Sequence, residues 1–148
     1  MEWEKLTHRE HILKRPDTYV GSLEYDETLK MSPGMFKIVD EILVNAADNK
    51  IRDPDGQTQI RVTIDQNGGF VKVWNNGEGI PVQRHKEHDL WVPEMIFGYL
   101  LTSSNYDDSE AKVTGGRNGF GAKLTNVFST RFEVETGHSR SRKKFSMR

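Results

Sequence analysis

Between Ser32 and Lys50 the apolar residues Met35, Phe36, Val39, Ile42, Leu43 and Ala46 recur at helical spacing. That period makes one apolar stripe along a long helix, and such a stripe must be buried against a second layer. Ser32 can cap the helix, Pro33 suits its first position, and Asp53-Pro54-Asp55-Gly56 closes it with turn chemistry. The period then changes. Ile60, Val62 and Ile64 alternate with Arg61, Thr63 and Asp65, which predicts a half-buried strand. Asn67-Gly68-Gly69 accepts positive φ, and Phe70 to Trp74 returns as the second strand of a hairpin. A helix that needs a cover, next to a hairpin with one apolar face, predicts a two-layer α/β sandwich. Its sheet is expected to be mixed and largely antiparallel, with helices on one face. The chain lacks the regular strand-helix-strand rhythm of a doubly wound parallel sheet.

The flanking segments fit around that unit. Thr7-His8-Arg9-Glu10 has the spacing of a capping box and predicts a short helix to about Leu13, with Pro16 ending it and Pro16 to Gly21 turning into an extended segment. Pro93 opens a helix carrying Met95, Ile96, Phe97, Leu100 and Leu101, and Ala122 to Phe128 reads as another that begins inside a glycine cluster. Arg131 to Thr136 alternates as a strand. Arg140 to Lys144 is the one charge run, and the basic end from Arg140 to Arg148 reads either as a solvated loop or as a contact for DNA phosphates. His85 and His88 sit too irregularly for a metal site and read as surface residues.

Composition removes several functions. The chain has 148 residues, with 21 Lys plus Arg against 22 Asp plus Glu, so no global positive field draws it to nucleic acid or to an anionic membrane. It has no cysteine, which excludes a disulfide framework and thiolate metal sites. No apolar run approaches the length of a membrane span, and Met1-Glu2-Trp3-Glu4-Lys5 does not have the pattern of a signal peptide, so no membrane partner is expected.

Three clusters carry chemistry. Glu41 and Asn45 lie four residues apart on the long helix, roughly 40° apart on one face, with Asp48 beside them. A carboxylate can orient and deprotonate a water, and an amide oxygen one turn on is a hard ligand for Mg2+. An ordinary polar helix face would look the same. Asn75-Asn76-Gly77-Glu78-Gly79 follows a strand directly. Gly77 and Gly79 let the backbone turn hard and come close to a flat ring, and the Asn75 amide can meet both an exocyclic amine and a ring nitrogen, as adenine presents them. An Asn- and Gly-rich turn is the plain alternative. Gly115-Gly116-Arg117-Asn118-Gly119-Phe120-Gly121-Ala122-Lys123 runs into a helix, where unpaired N–H groups and the dipole favour an anion and Lys123 adds a charge. A flexible surface loop is its plain alternative. Leu124 follows Lys123 where a Walker loop needs Ser or Thr, and the same Leu124 breaks a dinucleotide fingerprint.

Taken together and in this order, the clusters resemble the three nucleotide-binding boxes of the GHKL ATPase superfamily of gyrases, ninety-kilodalton chaperones, sensor histidine kinases and MutL-type mismatch-repair proteins. Glu10 to Gly21, Lys37 to Asp53, Leu100 to Asp108 and Thr114 to Leu124 are similar, more narrowly, to the ATPase domain of eukaryotic type IIA DNA topoisomerases. The resemblance implies ATP and Mg2+ as cofactors. It implies Glu41 as general base, Asn45 as Mg2+ ligand, and Asn75 with Gly79 at the adenine. Ser103, Ser104 and Asn105 are implied at the ribose and phosphates. Gly116, Arg117, Asn118, Gly119, Phe120, Gly121, Ala122 and Lys123 are implied as a phosphate-binding lid, Phe120 standing where the family usually has Tyr. Trp3 lies near an aromatic on the family's N-terminal strap. The expected organisation is a strap and first helix over 1–30 and an ATP-binding sandwich over 31–148, stopping short of its last strands, with transducer and DNA-cleavage domains absent. In the full-length enzyme the resemblance implies an ATP-dependent homodimer acting on double-stranded DNA in the nucleus. Two other readings stay open: an ATPase of another superfamily branch, or a fragment that binds nucleotide without turnover.

Overall fold

The computed structural model describes residues 7–87, 89–98 and 121–148. Its elements run α1 (His8–Lys14), α2 (Pro16–Val20), α3 (Pro33–Arg52), β1 (Ile60–Asp65), β2 (Phe70–Asn75), α4 (Val92–Gly98), α5 (Gly121–Val127), β3 (Val134–His138) and β4 (Lys143–Met147).

Local chemistry accounts for most boundaries. The capping box forms at α1: the Glu10 amide donates to Thr7 Oγ1 at 3.2 Å, and the Thr7 amide to Glu10 Oε2 at 3.4 Å. Ser32 caps α3 by accepting from the Met35 amide at 3.1 Å, with Pro33 in the first turn. Pro16 does not lead into an extended segment as expected. It is the first residue of α2, because a proline that cannot continue one helix is preorganised to begin the next once Arg15 leaves helical geometry at φ −127°.

The core is helical. Ile12, Val20 and Leu124 are buried together, with Tyr19, Ile38, Val127 and Phe128 packed against them, so α5 sits among α1, α2 and α3. Thr125 Oγ1 donates to the Ile38 carbonyl at 2.6 Å and fixes α5 along α3. The predicted stripe is only partly the buried one. Ala46 is buried, but Met35 and Phe36 are exposed, because the first turn of α3 packs through its glycine face and turns these side chains away. Gly34 in that turn is buried instead; a Cβ there would lie 3.1 Å from Val20 Cγ2 and 3.1 Å from Leu23 Cδ2.

The strands form two antiparallel pairs, β1 with β2 and β3 with β4. The first has the predicted register, Ile60 opposite Asn75 to Asp65 opposite Phe70, with Gly69 at φ 68° in the turn. Its apolar face is not half-buried as expected. Ile60, Val62, Ile64 and Val71 are exposed, since the helices gather around α5 and not over this hairpin. The basic end is not a loop: Lys143–Met147 pairs with β3 from His138 opposite Lys143 to Val134 opposite Met147. Phe145 turns toward Trp91, ring centroids 6.3 Å apart, while Lys143 and Lys144 stay outside. Alternation thus outranks the charge run. The whole is a mixed α/β fold of helices with small antiparallel sheets.

Candidate nucleotide site

The polar face of α3 organises the site. Glu41, Asn45 and Asn49 follow one another at four-residue steps, a ladder that spans roughly 12 Å of helix axis.

At the first step, the Glu41 carboxylate is largely withdrawn from solvent, its side chain 11% exposed, and its Oε1 is 2.8 Å from Lys37 Nζ. Its Oε2 faces the head of α5, where an added Cβ on Gly121 would lie 3.6 Å away. Gly121 has φ 36°, a conformation that L side chains avoid. The structure therefore brings Glu41 and the end of the glycine cluster together across 80 residues of sequence. Ala122 and Lys123 follow in the first turn of α5, both buried. Lys123 is thus held inside the fold, not displayed on its surface.

Asn45, one turn on, is half-buried, and its side chain has no hydrogen-bond partner among the described residues. Its amide oxygen can accept a ligand.

At the third step a chain of amides ties the helix to the end of β2. Gln57 Nε2 donates to the Ala46 carbonyl at 2.8 Å, Asn49 Nδ2 donates to Gln57 Oε1 at 2.5 Å, and it also donates to Asn75 Oδ1 at 3.3 Å. Gln57 is 1% exposed and Asn49 8%, so these groups are out of water and satisfy one another. Asn75 Oδ1 accepts as well from the Gly77 amide at 3.1 Å. A backbone N–H can only donate, so it settles the Asn75 amide with oxygen inward and Nδ2 outward. Asn76 faces the other way and accepts from the Thr58 and Gln59 amides at 2.9 and 2.8 Å.

The glycines of this turn have structural neighbours. A Cβ on Gly77 would lie 2.5 Å from Asn49 Nδ2, and one on Gly79 would lie 2.1 Å from the Gly137 carbonyl oxygen and 2.4 Å from Thr136 Oγ1. The close approach at Gly79 is thus to β3: the Gly79 amide donates to the Gly137 carbonyl at 3.1 Å and the Ile80 amide to Thr136 Oγ1 at 3.0 Å. Glu78 between them donates its amide to Asp53 Oδ2 at 2.7 Å. Its Oε1 is shielded from water, 3.4 Å from His138 Nε2 and 3.2 Å from Arg140 Nε, close enough for ionic attraction but without hydrogen-bond geometry.

Sequence reasoning missed Asn49, Gln57, Asp53, Thr136 and the Glu78–His138 pair. Asn49 had a signal, since it continues the four-residue spacing of Glu41 and Asn45. Trp3, His88, Ser103, Ser104, Asn105, Gly116, Arg117, Asn118, Gly119 and Phe120 lie outside the described residues. A cavity of 280 Å³ lined by Leu90, Glu94, Asn126, Phe132 and Met147, with Gly98 and Arg148, contains none of the predicted site residues; the chemistry lies along α3 instead.

Residues 32–147 match the family described as histidine kinase-, DNA gyrase B-, and HSP90-like ATPases, and the chain belongs to that family. Within it, the chain is 55% identical to a DNA topoisomerase 2 of Penicillium chrysogenum, an alignment that covers 97% of this chain and 10% of that protein. The ATPase region of Saccharomyces cerevisiae topoisomerase II superposes with a TM-score of 0.83 at 51% identity, covering 97% of this chain and 42% of that one. The ATPase and transducer domains of DNA topoisomerase II from Balamuthia mandrillaris give 0.82 at 51% identity, covering 97% and 40%. The chain thus spans about a tenth of the length of its curated relatives and resembles their ATPase region. Among the described residues no helix is long and apolar enough to cross a membrane.

Proposed function

We propose that this chain holds magnesium-ATP along the polar face of α3 and hydrolyses it with Glu41 as general base. The observation that carries the reading is the position of Glu41: a shielded carboxylate with one oxygen on Lys37 and the other turned to the head of α5, one helical turn before Asn45, whose side chain has no hydrogen-bond partner among the described residues. Asn45 suits Mg2+, a hard cation that takes a few protein oxygens and keeps several waters. When bound, the ion would neutralise phosphate charge; the remaining chemistry is positioning by the chain. Asn75, with Nδ2 outward, offers a donor to a ring nitrogen of adenine, and Gly79 shapes the wall beside it. Ser103, Ser104 and Asn105 are assigned to the ribose and phosphates, and Gly116 to Lys123 to the phosphates, on their resemblance to the family. Glu41 takes a proton from water as its oxygen attacks the γ-phosphorus and the bond to the ADP oxygen breaks.

In the complete protein we assign this unit to the ATP-operated clamp of a type II topoisomerase, closing as a homodimer on double-stranded DNA in the nucleus. The similarity to DNA topoisomerase 2 over nearly the whole chain supports that branch over chaperone or mismatch-repair ATPases. Glu41→Gln tests the core of the reading. In the full-length protein it should lower kcat by about 10²- to 10⁴-fold, the usual worth of a general base, while ATP binding by calorimetry stays near wild type. Unchanged hydrolysis would remove Glu41 from the mechanism.

A further inference from the structure

We infer that Glu78 and His138 form a clasp that seats the turn from Asn75 to Gly79 on β3 and governs affinity for ATP, not the rate of turnover. The inference rests on that turn being the adenine wall. In the run Gly77-Glu78-Gly79 only residue 78 carries a side chain by which the turn can be held. Its backbone and its carboxylate reach different elements. The Glu78 amide donates to Asp53 Oδ2 at the end of α3, 2.7 Å away, while Oε1 lies 3.4 Å from His138 Nε2 and 3.2 Å from Arg140 Nε. Glu78 thus joins the helix that carries Glu41 to the hairpin of β3 and β4.

The pair is not one of two solvated side chains. Glu78 is 25% exposed and His138 13%, and Glu78 Oε1 is closed to water without a hydrogen bond among the described residues. A carboxylate oxygen withdrawn in this way costs free energy unless positive charge or an N–H faces it. The end of β3 supplies both. The Ser141 amide donates to His138 Nδ1 at 3.3 Å. A backbone N–H can only donate, so Nδ1 accepts and the ring proton sits on Nε2, the nitrogen that faces Glu78. Arg140 adds its charge from the rim. Beside the clasp, the Gly79 amide donates to the Gly137 carbonyl and the Ile80 amide to Thr136 Oγ1. Those bonds fix Gly79 and Ile80, but two glycines give the stretch back to Asn75 no stiffness of its own. Holding Glu78 sets that stretch, and a base that meets a preset wall loses less free energy to ordering when it binds. Neither residue touches Glu41, so turnover of bound nucleotide is spared.

The test uses the full-length protein, steady-state ATPase rates and calorimetry with a non-hydrolysable ATP analogue and Mg2+. Two substitutions separate the faces of the ring. His138→Gln keeps an N–H that reaches Glu78 and gives up the acceptor for Ser141; His138→Asn keeps that acceptor and no longer reaches Glu78. His138→Asn should raise KM for ATP and weaken the analogue roughly three- to tenfold with kcat within about twofold of wild type, and His138→Gln should restore affinity to within about twofold. In a Glu78→Ala background, itself weakened to the same degree, His138→Asn should add nothing further, since the contact is already gone. A Gln variant no better than the Asn variant would assign His138 to the turn of its own hairpin and overturn the clasp. Normal affinity in His138→Asn, a loss that falls on kcat, or independent losses in the double variant would overturn it as well. Asn75→Ala separates the clasp from the reading beneath it. Weak analogue binding there beside normal binding in His138→Asn sinks the clasp alone, whereas normal binding in Asn75→Ala removes the adenine wall and the inference with it.

Discussion

The two ends of the α3 polar face are held by opposite means. At Glu41 a single charge is shielded from water and anchored by one half-exposed lysine. Eight residues on, Asn49 sits in a chain of neutral amides through Gln57 and Asn75, nearly all of it out of solvent. Neutral amides can be buried at little cost when every donor finds an acceptor, and once satisfied they hold one geometry. A carboxylate cannot be buried so cheaply and keeps a partner at the water's edge. The amide end is therefore built for a fixed shape, which suits the flat base proposed there, and the charged end suits the proton transfer proposed for Glu41.

That contrast can be broken at either end, and the effects should differ in kind as well as size. The largest is Glu41→Gln, whose loss falls on kcat while the melting temperature moves little. Gln57→Leu, near the amide end, should do the reverse. It removes one hydrogen bond from the Ala46 carbonyl and one from the Asn49 amide in a site closed to water, and should cost about 1–3 kcal/mol of stability, read as a lower urea midpoint at unchanged m. Weak ATP binding would follow from a loosened Asn75, with turnover of the bound fraction largely kept. Equal damage to kcat and stability from both changes would mean that the two ends are one cooperative unit.

The helix and hairpin that carry the candidate site were legible in the sequence, and most of the amide chain was not. Glu41 and Asn45 stand a four-residue step apart, a spacing that a plain polar face shares, on a helix whose cap and stripe are local, and the hairpin that ends at Asn75 follows from an alternation and a turn that are equally local. Gln57 belongs to no period. Its burial follows from a loop folding back on α3, and it meets Asn49 and Ala46 only in three dimensions. The meeting of Ile80 with Thr136 spans 56 residues and had no signal at either position. In β4 the signal was present but masked: Phe145 and Met147 alternate inward, while Lys143 and Lys144 make the segment look solvated. Pro16 was ambiguous by nature, since the same ring stops one helix and starts another. The exposed face of the first hairpin shows the limit of pattern, which predicts which residues share a face but not what covers it.

A third change bears on the amide end alone. Gly79→Ala would drive a methyl group against the Gly137 carbonyl, backbone against which no side chain can yield, and should cost about 1–3 kcal/mol. Thermal unfolding would show it, and the separation of β3 from the turn would appear as faster hydrogen exchange at the Gly79 and Ile80 amides. Exchange unchanged at both would mean that the turn shifts as a body and that its register on β3 is not fixed by the glycine.

The smallest effect is the control that gives the Lys37–Glu41 pair its meaning. Lys144 and Glu135 make an ion pair of nearly the same length, 3.0 Å, on the outside of the second hairpin, with side chains 73% and 65% exposed. Distance alone would assign the two pairs similar worth. Solvent screening predicts otherwise: a double-mutant cycle on Lys144 and Glu135 should give a coupling of no more than about 0.5 kcal/mol, vanishing in high salt. The same cycle on Lys37 and Glu41 should give a larger coupling that survives salt, because only there is one member withdrawn from water. If the two cycles agree, shielding of Glu41 carries no energy in this fold, and the distinction between its two ends reduces to the identity of the side chains.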